Sequence, residues 1–74
     1  MKLAEWLDRH GWSNDDFAQA IGRHRTDVYR YRRGQHMPRA EIIAAIERVT
    51  HGAVTATDLY EAIAERSRLE RSAA

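Results

Sequence analysis

Residues 13–34 read SNDDFAQAIGRHRTDVYRYRRG, and this stretch decides the fold. Ser13 precedes Asn14, Asp15 and Asp16. This is a helix-start pattern: the hydroxyl accepts a free backbone N–H, and the acids favour the positive end of the helix dipole. Phe17, Ala18 and Ile21 follow at helical spacing as an apolar face, and Gly22 closes the segment. A further helix is predicted from about His24 to Arg33, with Val28 and Tyr31 on one face and Gly34 at its end. Two short helices joined by a tight turn containing glycine, the second of them basic, are the parts of a helix-turn-helix. Ala18 is small where a crossing helix needs room.

Outward from that stretch the pattern stays helical. Leu3, Trp6 and Leu7 lie on one face of a first helix over Lys2 to His10, with Gly11 placed to end it in a left-handed cap. After the Met37-Pro38 turn, Arg39 to Val49 is the clearest amphipathic helix, because Ile42, Ile43, Ile46 and Val49 recur at spacings of three and four. Thr55 and Asp58 form a capping box for a fifth helix whose apolar face carries Leu59 and Ile63. From Glu65 onward the chain is polar or alanine, and it either extends that helix into solvent or frays. No stretch alternates apolar and polar residues between turn signals, so no strand competes. The expected fold is all-α, a five-helix bundle, with residues 1–65 as the domain and 66–74 as a polar tail or helix extension.

The 74 residues include 32 hydrophobic ones, but 12 of these are alanine, leaving 20 larger apolar side chains for a small core. That suits a few short helices in one domain. Cysteine is absent, which favours a reducing compartment for so small a domain. The longest strongly apolar run, Ile42 to Ile46, is too short for a membrane span, and the N-terminus lacks the pattern of a signal peptide, so a cytoplasmic location is expected. The formal net charge of +1 conceals an uneven distribution. Residues 23–39 hold six arginines against one acid, a net of plus 5, whereas the segments before and after are each minus 2. A basic block of arginine alone points to a polyanionic partner, since the planar guanidinium pairs in register with a phosphate or the edge of guanine.

The same residues resemble the Cro and phage-repressor type of helix-turn-helix, the XRE family. The resemblance spans roughly residues 1–60 and rests on Leu3, Trp6 and Leu7, on Ser13 to Gly22, on Val28 to Gly34 (VYRYRRG), on Met37-Pro38 and on the isoleucine-rich fourth helix. The Gly52-Ala53-Val54-Thr55 ending looks like the small Cro-like, YdaS-type antitoxin and prophage regulators. The resemblance implies a lambda-repressor-like fold and a transcriptional regulator, typically a repressor. The chain departs from the pattern just after the turn glycine, where Arg23 and His24 replace the family's apolar residue and its serine or threonine cap. The start of the third helix is therefore expected to be less well capped, with Asp27 compensating in part or pairing with Arg23.

A projection at about 100° per residue puts Val28, Tyr31 and His24 on one side of the third helix. Thr26, Arg30 and Arg33 lie opposite, with Tyr29 beside them and Arg25 at the N-terminal tip. The second helix of such a motif enters the major groove and its N-terminal residues reach base edges. The base-reading candidates are thus Arg25, Thr26, Tyr29 and Arg30. Arginine donates twice to guanine, and threonine offers a methyl to thymine or a hydroxyl to a base edge. Arg23, Arg32, Arg33 and Arg39 are the phosphate-backbone candidates, and the resemblance adds Asn14 at the start of the second helix.

Catalysis is not expected. There is no Ser, His, Asp constellation with a glycine-rich elbow and no phosphate loop, and Asp15 and Asp16 read as helix-dipole partners. His10, His24, His36 and His51 have no paired ligand spacing, so neither a metal nor a cofactor is expected. The expected partner is double-stranded operator DNA, bound by a homodimer on an inverted repeat, because one helix-turn-helix contacts only a half-site. Leu59, Tyr60, Ile63 and Leu69 are the candidate dimer surface. The alternative is an antitoxin-like or adaptor module whose main partner is another protein. An RNA-binding role is disfavoured by the lack of an aromatic stacking platform.

Overall fold

The computed structural model describes residues 1–73 and contains α1 (Leu3–His10), α2 (Asn14–Ile21), α3 (Arg25–Arg32), α4 (Ala40–Val49) and α5 (Ala56–Ala73). The described residues are all-α, five helices as the spacing predicts. Position 74, the last residue of the predicted tail, lies outside the described residues.

Local signals fix the helix ends. The Asp16 N–H donates to Ser13 Oγ at 3.1 Å and starts α2. Gly22 ends it in the left-handed region, at φ +71°, which lets the Arg23 N–H reach back to the Ala18 carbonyl at 2.9 Å. The predicted capping box of α5 is reciprocal. The Asp58 N–H donates to Thr55 Oγ1 at 3.3 Å, and the Thr55 N–H donates to Asp58 Oδ2 at 2.9 Å. Between α4 and α5, the buried Thr50 hydroxyl donates to the Ile46 carbonyl at 2.8 Å and accepts the Val54 N–H at 3.2 Å, so the turn leaves its polar groups satisfied.

One core unites the helices: Leu3, Trp6 and Leu7 from α1, Phe17, Ala18 and Ile21 from α2, Val28 and Tyr31 from α3, Ala45 and Ile46 from α4, then Val54 and Leu59. Ile42, Ile43 and Val49 pack against it from the side. Trp6, Trp12 and Phe17 meet with ring centroids 5.6–5.8 Å apart, closing the turn between α1 and α2. α2 packs most extensively against α3.

α5 takes the first of the two courses expected beyond Glu65 and departs from expectation at one residue, Leu59. It continues without a break through the polar stretch to Ala73. Leu59, predicted as part of a dimer surface, is only 2% exposed because it faces inward from the first turn of α5 and completes the core. The chain start is tied to the same helix. The Met1 ammonium donates to the Ala53 carbonyl at 2.9 Å and to Asp58 Oδ2 at 3.0 Å, and Lys2 pairs with Glu65. Burial pushes the Asp58 carboxyl up, but the hydrogen bonds from Thr55 and the Met1 ammonium outweigh it and hold Asp58 below its ordinary value of 3.8. Among the described residues no helix is long and apolar enough to cross a membrane.

Candidate nucleic-acid interface

α3 begins with a histidine in the place of a hydroxyl cap. His24 is extended (φ −84°, ψ 150°), and its Nδ1 accepts the Thr26 N–H at 3.2 Å. The Thr26 hydroxyl lies 3.1 Å from the same nitrogen. A ring nitrogen that accepts from a backbone N–H carries no proton, so the cap uses Nδ1 in its unprotonated form. The expectation of a poorly capped start is thereby corrected: the imidazole does the work of serine or threonine, bonding two residues ahead as short polar side chains do in turns. The extended backbone also removes His24 from the helical phase, so it is exposed and does not share the buried face of Val28 and Tyr31. Asp27 pairs with Arg23 at 3.0 Å, four residues back, as its position predicted.

With Val28 and Tyr31 in the core, the opposite face of α3 turns Arg25, Thr26, Tyr29, Arg30 and Arg33 to solvent. Arg25, Thr26 and Tyr29 line one concavity of 240 Å³ together with Asn14. The candidate chosen from the start of α2 thus sits beside three of the four chosen from α3. Arg30 lies on the other flank, in a wide depression of 540 Å³ whose wall includes Gly34, His36, Ile63 and Arg66. Arg39 stands apart, as the exposed N-cap residue of α4.

The arginines of the basic block divide by what they touch. Among the described residues, Arg25, Arg30 and Arg39 form no ion pair, whereas Arg23 is held by Asp27. Arg33 Nη1 donates to the Tyr29 hydroxyl at 2.9 Å, with its guanidinium carbon 5.3 Å from that ring's centroid, so its charge is engaged by a side chain of the same helix. Arg32 spans three helices. Its Nη2 donates to Asp8 Oδ1 at 2.7 Å and its Nη1 to Asn14 Oδ1 at 3.3 Å. Sequence reading missed this contact because Asp8, Asn14 and Arg32 share no periodicity; only the packing of α1, α2 and α3 brings them together.

The C-terminal end of α3 is held as firmly as its start is open. Gly34, at φ +70°, lies so close to α5 that a Cβ there would fall 2.4 Å from the Ala62 carbonyl oxygen. His36 stacks on Tyr31 with ring centroids 6.2 Å apart. Among the described residues no three His, Cys, Asp or Glu side chains gather where they could hold a metal.

A family model described as Helix-turn-helix matches residues 3–52, which covers α1 to α4 and includes the whole of α2, the turn and α3. Comparison with curated proteins and with solved structures finds no match. By that match over more than half of its length, the chain belongs to the XRE/Cro-type helix-turn-helix family of DNA-binding regulators.

Proposed function

We propose that the protein is a sequence-specific regulator of transcription that lays α3 in the major groove of double-stranded DNA and represses by occupying an operator. The observation that carries this reading is the solvent face of α3, where Arg25, Thr26, Tyr29 and Arg30 stand free of the core on a helix braced by α2. Arg25 and Arg30 donate to guanine edges, and Thr26 and Tyr29 contact bases between them. Asn14, Arg23, Arg33 and Arg39 meet phosphates around the groove and set the register. The action is one of occupancy, without catalysis or a cofactor.

A single head covers a half-site, so the regulator acts as a homodimer on an inverted repeat with half-sites about 10 base pairs apart. With Leu59 buried, the apolar side chains left on α5 for a partner are Tyr60 and Leu69, 63% and 64% exposed, and the half-buried Ile63. Tyr60 and Leu69 are nine residues apart, half a turn out of phase at about 100° per residue, so one partner helix does not cover both. One flank serves the second copy, and the other is open to a different protein, as in the antitoxin-like reading.

Selection of binding sites from a random duplex pool tests the central claim. The expected product is an inverted repeat. On the selected site, Arg25→Ala and Arg30→Ala each cost about 1–3 kcal/mol and relax one base position, while Arg39→Ala weakens all sequences alike. Equal losses on selected and random duplex for all three variants would sink the base-reading assignment.

A further inference from the structure

Arg32 was read from sequence as a phosphate contact, yet its guanidinium is occupied on both arms. Nη2 meets Asp8 at 2.7 Å and Nη1 meets Asn14 at 3.3 Å. A carboxamide has two flip states that exchange its acceptor and its donors. Facing a guanidinium, which only donates, Asn14 has one acceptable state, with Oδ1 toward Arg32 and the Nδ2 amino group turned away from it. Asn14 also lines the concavity shared with Arg25, Thr26 and Tyr29, on the proposed DNA side.

We infer that Arg32 is a positioning residue for DNA binding: anchored by Asp8 in α1, it fixes the flip state of Asn14 so that the two Nδ2 hydrogens face a backbone phosphate at the edge of the groove. The inference rests on the reading of this face as the DNA surface and adds a division of labour to it. The positive charge of Arg32 is spent on a carboxylate, and its contribution to binding passes through a neutral amide. Asp8 is 70% exposed, so the ion pair adds little to stability; its role is to set a direction.

A double-mutant cycle on a fluorescein-labelled mixed-sequence duplex, read by anisotropy across a salt series, tests this without knowledge of the operator. Asn14→Ala weakens binding about three- to tenfold, the range of one or two hydrogen bonds, and Arg32→Met weakens it by a similar factor. The double variant binds no more weakly than Asn14→Ala alone, and Arg32→Met leaves the salt slope unchanged. A general loss of folding would weaken binding in both backgrounds, so non-additivity separates positioning from structural damage. Asn14→Asp supplies the second arm. It keeps the acceptor for Arg32 and a favourable charge at the start of α2, but has no donors; it retains the thermal stability of the parent and binds more weakly than Asn14→Ala. Additive losses, a slope reduced by about 0.9 in Arg32→Met, or unimpaired binding by Asn14→Asp would each overturn the inference. Failure of the parent protein to bind duplex even at low salt would instead overturn the DNA reading, and the inference with it.

Discussion

The two ends of α3 are built on opposite plans. At the N-terminal end, His24 closes the backbone with its own side chain, and Arg25 and Thr26 are left to solvent. At the C-terminal end nearly everything is tied: Arg32 to α1 and α2, Arg33 to Tyr29, and Gly34 against the α5 backbone. The difference teaches how so short a helix can be both rigid and accessible. Eight residues have too little intrinsic helicity to hold a direction alone, so one end is clamped to the bundle and the other is free to probe a surface. It also shows why a count of charge overstates what the basic block offers, since half of its arginines are engaged within the protein.

The largest effect on this contrast is expected from Gly34→Ala. The new methyl would meet the Ala62 carbonyl while the backbone stays in the left-handed region, and loss of about 2–4 kcal/mol is expected in chemical unfolding. An unchanged midpoint would mean that α5 is not the clamp. His24→Ala should cost about 1 kcal/mol of stability and His24→Ser should restore it, because the lost feature is an N-cap acceptor. If serine fails to restore the midpoint, the ring contributes by something other than capping.

The smallest effect is a pH dependence at the start of α5, the helix against which Gly34 is clamped. Asp58, whose value is lowered in the fold, contributes stability that is full above the ordinary aspartate value and is lost as pH falls through the lowered one. As pH falls below the ordinary aspartate value of 3.8, amide exchange should therefore rise first in the early turns of α5, near Thr55 and Asp58, and later at the start of α3. In Asp58→Asn that acid-dependent difference should vanish. Simultaneous exchange at both sites in the parent protein would show that the two ends open together.

Much of the frame was legible because each piece is governed by neighbours in sequence. Ser13 and Gly22 bound α2, the Thr55–Asp58 box starts α5, and the isoleucines of α4 mark its inner face. The chosen face of α3 was readable for the same reason, as Val28 and Tyr31 leave only one side for Thr26 and Arg30. What escaped depends on encounters between distant residues. Leu59 looked available because nothing local says which side of α5 meets the core, and Gly34 looked like an ordinary helix stop until Ala62, far along the chain, arrived against it. His24 is the exception, a purely local contact missed because capping preferences rank short hydroxyl and amide side chains and leave imidazole out of the comparison.

The cluster of Trp6, Trp12 and Phe17 has an optical consequence. Both tryptophans of the chain lie there, at the junction of α1 and α2, with none on α3 or α5. Intrinsic tryptophan emission therefore reports the integrity of that junction. It should stay nearly constant when a partner covers Tyr60 or Leu69, which makes it a built-in gauge for separating binding at α5 from unfolding of the reading head.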